Sequence, residues 1–281
     1  MYIILKNKKD IYFFNKISKK YNIEELYFLN TDKPLFKLLK KVKISILGKW
    51  KNEINKYDKF IIFESLYNEK VAKKIKRTKK ENKVIVYFWN YIDDNNKYIL
   101  NDKNIDEFWT FDKNDAQKYN MKYNPQFYTK NVKIQDEQNK YDVLFLGRPK
   151  TRKKDIVELE KKLEEEGIQT NFKIIENEKD YVSYDEYLKM IAESKCILDY
   201  NQEGQVGLSL RPMEALFLER KLITNNTDIK NYDFYNHDNI FILGEDNINE
   251  IKEFINKPYK KIDQDIIDYY DFDQWLNRFG V

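Results

Sequence analysis

Two short segments in the second half of the chain hold three of its seven glycines and two of its five prolines. The first is Phe145-Leu-Gly-Arg-Pro-Lys-Thr-Arg152, at the end of an apolar run. Gly147 allows a sharp backbone turn there. Arg148, Lys150 and Arg152 then place three cations within five residues, a set that suits one diphosphate, with Arg able to bind it bidentately. The plainer alternative is a solvated basic turn. The second segment runs from Asn201 to Ala215, NQEGQVGLSLRPMEA. It carries Gly204 and Gly207 in a loop and leads into a helix with Pro212 in its first turn, where a missing N–H does no harm. A glycine-bearing loop feeding a helix start offers unpaired N–H groups and a positive dipole end, both suited to phosphate. Glu214, expected in the first turn, is a carboxylate that can accept from two adjacent ribose hydroxyls. Alternatively, Glu214 only favours the dipole and the two glycines only shape a loop.

Alternation of β-rich runs with helical patterns must position these segments. Candidate strands in the first half are Tyr2–Leu5, Leu26–Leu29, Phe60–Phe63, Val84–Phe88 and Glu107–Thr110, with helical spacing over Tyr67–Lys76. In the second half, Asp142–Leu146 precedes a charged helix over Lys153–Glu166 that Gly167 closes. Strand Phe172–Ile175 follows, then Ser183-x-x-Glu186 opens a helix to Ser194 in the pattern of a capping box. Strand Cys196–Tyr200, a helix over about Leu210–Arg220, strands Leu222–Asn225 and Ile240–Leu243, and a helix near Ile248–Asn256 complete the series. Such alternation predicts an α/β protein with parallel sheets covered by helices on both faces, in two Rossmann-like units. The polar stretch Tyr123–Tyr141, which contains Pro125, is the expected linker. Both basic segments fall at C-terminal strand ends of one unit, where open parallel sheets bind ligands, so they are expected to converge.

Composition narrows the function classes. The chain has 281 residues, 42% hydrophobic and 16% aromatic, enough for a large core. Its net charge of +4 is the remainder of 51 basic and 47 acidic side chains, a small surplus for a dedicated nucleic-acid binder. With only Cys196 and His237, no intramolecular disulfide, Cys-rich zinc site or multi-histidine metal centre can form, and a reducing compartment fits. The opening MYIILKNKKD is too short an apolar run for a signal-peptide core, and nothing approaches the roughly 20 apolar residues of a membrane span. The expected location is cytoplasmic, at most peripheral on the inner face of a membrane.

The order strand, Gly-Arg-x-Lys-x-Arg, capped helix, strand, Gly-Gln-x-Gly-Leu-Ser-Leu-Arg-x-x-Glu-Ala, helix, strand resembles the donor domain of GT-B glycosyltransferases. It is most similar to bacterial enzymes of lipopolysaccharide core and capsule synthesis. The likeness is specific over roughly Tyr141–Asn226 and weaker at Trp109–Asp115 and Phe272–Trp275. It implies an N-terminal acceptor-side domain (1–130), a nucleotide-sugar-binding domain (131–262) and a C-terminal helix (263–281) crossing back to the first domain, the two domains facing a central cleft. It implies that Arg148, Lys150 and Arg152 contact the donor diphosphate beside Gly147. Gly207, Leu208, Ser209 and Leu210 would form the turn at the phosphates, Arg211 would add charge, and Glu214 would hold the ribose. Many retaining members carry a second Glu eight residues before the ribose Glu; Val206 stands there, with Glu203 out of register.

The resemblance thus implies transfer of a sugar from a nucleotide donor, UDP-linked by expectation, to a cell-surface glycan or lipid-linked saccharide. No cofactor and no metal are expected: the pairs Asp263/Asp265 and Asp271/Asp273 fall after the last strand. For a base on the acceptor hydroxyl, Glu64 after Phe60–Phe63 leads, followed by Asp93 and Asp94. Nine Lys between Lys33 and Lys59, interspersed with Leu35, Phe36 and Trp50, suit an anionic membrane surface at roughly 1 kcal/mol per Lys, or a solvated face over core residues. Eight further cations lie in Lys70–Lys83. The alternatives are a sugar-nucleotide epimerase or hydrolase of the same fold, and a nucleic-acid-binding module using the two Lys runs, which the residues around Glu214 disfavour.

Overall fold

The computed structural model describes residues 1–6, 21–27, 34–35, 47–202 and 207–281. Glu203, Gly204, Val206 and, in the first Lys run, residues 33 and 36–46 lie outside them. The chain forms two compact units, Met1–Pro125 with Trp275–Val281, and Gln126–Gln274.

The first unit is built on a parallel sheet. Its strands are β1 (Tyr2–Lys6), β2 (Ile23–Glu25), β3 (Lys59–Phe63), β4 (Lys83–Phe88), β5 (Glu107–Thr110) and β6 (Lys122–Tyr123), in the order β2-β1-β3-β4-β5-β6. The central strands are apolar throughout because both faces are covered. Phe60, Ile62, Val84, Val86 and Phe88 face one core with Trp50 and Ile75, the latter from helix α1 (Glu69–Thr78), and helix α2 (Lys113–Lys118) follows β5. Phe63 and Tyr87, of opposite parity, lie on the other face. There Trp275 stacks on Phe63 at 6.0 Å and 7°, and meets Tyr87 edge-on at 5.1 Å. Buried Asn124 donates to the Trp275 carbonyl at 3.0 Å.

The second unit has strands β7 (Tyr141–Gly147), β8 (Thr170–Ile174), β9 (Ser194–Asp199), β10 (Lys221–Thr224) and β11 (Ile240–Ile242), all parallel, in the order β11-β10-β9-β7-β8. Helix α3 (Lys153–Glu165) follows β7, and Gly167 turns the chain away from it at φ +72°, a conformation that favours glycine. Helix α4 (Tyr184–Ala192) starts at Ser183, whose hydroxyl accepts the Glu186 N–H at 3.1 Å. Helix α5 (Leu210–Phe217) follows β9 and ends sooner than its apolar pattern implies. In each unit the third strand passes to the other side of the first. This is the doubly wound arrangement, with its topological switch point between β1 and β3, and between β7 and β9.

The stretch 123–141, the expected linker, contains the boundary between the units at Pro125 and Gln126. Its polar side chains concealed a buried aromatic pair, Phe127 and Tyr128, that packs on Phe272 and Phe217. Two expectations need correction. The second strand lies at Ile23–Glu25 rather than from Leu26. Trp50 cannot serve a membrane face: it is fully buried and donates to the Leu26 carbonyl at 3.1 Å. In the second Lys run, Lys76 pairs with Asp106 at 2.6 Å and Lys79 with Asp58 at 2.8 Å, the pattern of a solvated helix face over a core. Among the described residues, no helix is long and apolar enough to cross a membrane.

Trp275→Ala is expected to destabilise the protein by about 3–5 kcal/mol, because it empties a fully buried aromatic site. Urea unfolding followed by circular dichroism measures the loss.

Candidate functional site

The switch point of the second unit gathers both basic segments. Gly147 ends β7, and the segment that begins at Asn201 follows Asp199 of β9 by one residue. Arg211 joins the two. Its Nη2 donates to the Leu146 carbonyl at 2.6 Å, its Nη1 lies 3.5 Å from Asp199, and its guanidinium sits over the Phe145 ring at 5.5 Å. This explains Gly147: a Cβ there would stand 2.5 Å from Arg211 Nη2. Farther out, Gln202 donates to the Thr151 hydroxyl at 3.1 Å. Ser209 caps α5. Its hydroxyl accepts the Arg211 N–H at 3.2 Å and donates to Asp199 Oδ1 at 2.8 Å. Gly207 and Leu208 are buried, and Leu210 is the first residue of the helix.

The charges at this point are unbalanced. Arg152 is half-buried, and its guanidinium is held below its ordinary pKa first by burial and then by the neighbouring Arg211. Its Nη2 donates to the Arg148 carbonyl at 3.3 Å, while its buried Nε has no partner. The carboxylate bonded to Arg211, Asp199, is fully buried, and its Oδ2 is also unpartnered. Asn201, whose backbone is held by a reciprocal pair of hydrogen bonds with the Asn225 amide (2.6 and 3.0 Å), buries an unpartnered Nδ2. The two adjacent guanidiniums thus leave one buried donor, the Arg152 Nε, unsatisfied near the strand ends, a group whose charge-assisted hydrogen bond an acceptor would complete. Lys150 is exposed in a 3-10 turn, with φ at +48°.

Two residues expected at the donor, Arg148 on the diphosphate and Glu214 on the ribose, have partners within the protein. Arg148 is turned onto Tyr181, its Nη2 donating to the tyrosine hydroxyl and its guanidinium 5.3 Å from the ring centre. Glu214 is the fifth residue of α5, beyond the first turn, so the helix dipole does not explain it. It is 2% exposed; Oε2 accepts from the Tyr187 hydroxyl at 2.8 Å and Oε1 is unpartnered. Burial, with a smaller push from Asp199, raises its carboxyl to about 7 against the pull of Tyr187 and Arg211.

The base candidates lie in the first unit. Glu64 follows β3 at that sheet's switch point and is buried, accepting from the Trp89 N–H at 2.7 Å and from the Asn90 amide. Burial raises its pKa, and these bonds oppose the rise. Asp93 is exposed and closes its own turn, accepting from the Asn95 N–H at 2.8 Å; Asp94 is exposed beside it. His237 is exposed. Asp271 accepts the Lys130 N–H at 2.8 Å, a structural role, and among the described residues no group of three or more His, Cys, Asp or Glu is arranged to hold a metal. Sequence reasoning missed Asp199, Asn201, Tyr181 and Tyr187. Asp199 alone had a signal, a carboxylate ending the apolar run Cys-Ile-Leu-Asp.

Fold and site together define a doubly wound α/β protein with two neighbouring guanidiniums, Arg152 and Arg211, at one switch point. Compared with protein-family models and with curated proteins, the sequence matches none. Among solved structures, TarM is similar over 79% of this chain at 14% identity, with a TM-score of 0.48; the chain spans 54%, about half, of TarM's length. An NAD+-bound 3-phosphoglycerate dehydrogenase from Entamoeba histolytica aligns over the whole chain and 95% of its own, at 14% identity and a TM-score of 0.23. Likenesses this distant carry no argument about activity.

A carboxyl whose pKa rises on folding binds its proton more tightly in the native state. Glu214 therefore contributes its full stability below the ordinary value of 4.5, and this is lost as pH climbs to about 7. Relative to Glu214→Gln, the wild type is expected to lose up to about 3 kcal/mol across that window, measured as the difference between their denaturation midpoints against pH.

Proposed function

We propose that the chain is a glycosyltransferase that takes a nucleotide sugar, with UDP the expected carrier, and passes the sugar to a glycan or lipid-linked saccharide. The observation that carries this reading is the pair Arg152 and Arg211 at the ends of β7 and β9, with Asp199 the one carboxylate paired to either among the described residues and with the Arg152 Nε left without an acceptor. A diphosphate supplies the missing acceptors, and charge-assisted hydrogen bonds of this kind contribute about 1.5–3 kcal/mol each. Glu214 supports the nucleotide assignment: a carboxylate with one oxygen held by Tyr187 and the other unsatisfied is matched by the hydroxyls of a ribose. Its burial means that ribose binding must displace a covering side chain.

In this reading the bond from the sugar's anomeric carbon to the phosphate oxygen breaks. The electron pair leaves on the nucleoside diphosphate, where Arg152 and Arg211 stabilise it. The acceptor hydroxyl forms the new bond and gives its proton to a base, for which Glu64, with its raised pKa, is the first candidate and Asp93 or Asp94 the next. The second unit holds the donor and the first the acceptor, and the reaction needs no metal. Location at the inner face of a membrane, through the Lys33–Lys59 run, belongs to the same proposal.

A thermal-shift series with UDP, GDP, CDP and CMP tests the reading. One nucleotide should stabilise the protein by about 2.7 kcal/mol at a hundredfold excess over its Kd, and Arg152→Ala should weaken it about 10- to 100-fold. Absence of any shift, or an undiminished shift in Arg152→Ala, contradicts the proposal. Turnover of the sugar nucleotide without acceptor would favour an epimerase or hydrolase instead.

A further inference from the structure

Arg148 was expected on the diphosphate, yet its guanidinium lies against Tyr181. The two loops involved leave the sheet side by side. Gly147 and Ile174 are register partners, and the Ile175 N–H donates to the Gly147 carbonyl at 2.9 Å. The loop carrying Tyr181 is braced, not slack. Asp180 Oδ2 accepts the N–H groups of Glu176 and Asn177 at 2.9 and 2.7 Å, and Glu176 pairs with Lys153 at 2.6 Å. Tyr181 is nonetheless 47% exposed, among the most exposed large side chains described. It thus offers open ring surface on a fixed loop at the C-terminal edge of the sheet.

Its neighbours indicate what this surface would meet. The Arg148 carbonyl accepts from Arg152, which belongs to the proposed anion site. On the other side, Ser183 opens α4, whose Tyr187 holds Glu214. Arg152, the buried Glu214 and the exposed Arg148–Tyr181 pair are therefore linked through neighbouring residues of one unit, and match the diphosphate, ribose and base of one ligand in kind. Aromatic rings and guanidinium planes are the two side-chain surfaces on which nucleobases stack.

We propose that Arg148 and Tyr181 form a stacking platform for the nucleobase of the donor, so that Arg148 serves the base and leaves the diphosphate to Arg152 and Arg211. The inference rests on the donor reading above and specifies one part of it. Stacking uses the face of the base, not its edge, so the platform raises affinity for every nucleoside diphosphate without choosing among them.

Calorimetric titration of the full chain with UDP, GDP and inorganic pyrophosphate tests this. Tyr181→Ala should weaken UDP and GDP about tenfold, leave pyrophosphate unchanged, and lose little stability because the ring is exposed. Tyr181→Phe should keep nearly wild-type affinity, and Arg148→Ala should follow the alanine pattern. In Tyr181→Trp, UDP should quench the added indole emission and pyrophosphate should not. Unchanged UDP affinity in Tyr181→Ala overturns the proposal, as does an equal loss for pyrophosphate, which would mark Tyr181 as a support of the anion site. If wild-type protein binds UDP and GDP no better than pyrophosphate, the platform fails while the anion site stands. If it binds none of the three, the donor reading fails with it.

Discussion

The Arg211 guanidinium, laid across the end of β7, is the constraint on which the second unit's site depends. To reach the Leu146 carbonyl it needs a residue without a Cβ at Gly147, and to rest there as a charge it needs Asp199 behind it. Asp199 in turn receives the hydroxyl of Ser209, the residue that starts α5. Strand end, loop and helix start are therefore linked through one side chain, its two polar contacts and the Ser209 hydroxyl on Asp199. Because that guanidinium is already partly committed, the neighbouring Arg152 is crowded by a like charge and left short of acceptors. An unmet requirement of this kind is costly in an empty protein, and it becomes a source of affinity when an anion arrives.

Glu214 shows the same logic with the sign reversed. A carboxylate at this depth, with one oxygen unpartnered, is poorly solvated when charged. Tyr187 and Arg211 lower the cost, and Asp199 adds to it. Hydroxyl donors from a ligand would complete the shell that the protein leaves open. The two incomplete shells, one cationic at Arg152 and one anionic at Glu214, both neighbour the Arg211 charge. One ligand bearing both a diphosphate and a diol would satisfy both.

Much of this was legible in the sequence. Parallel strands buried on both faces, such as Phe60-Ile-Ile-Phe63, announce themselves as unbroken apolar runs, and the scarcity of glycine made Gly147 and Gly167 informative. The convergence of the two basic segments followed from topology alone. What escaped was decided by partners distant in the chain. Nothing near Arg148 indicates that Tyr181 will claim it, and nothing in the polar stretch around Pro125 shows that Phe127 and Tyr128 will be buried. The lysines beside Trp50 left it readable as a membrane-facing or a core aromatic, and the Leu26 carbonyl that accepts its indole N–H decides for the core. Strand-end polar residues such as Asn201 acquire meaning only once the neighbouring strand, here with Asn225, is in place.

The most direct test of the central claim is a crystal structure of the full chain with UDP bound. The diphosphate is expected within hydrogen-bonding distance of the Arg152 Nε and the Arg211 guanidinium, beyond the ends of β7 and β9, with the ribose hydroxyls on Glu214. Density for the nucleotide at another edge of the sheet, with Arg152 still lacking an acceptor, would contradict the account.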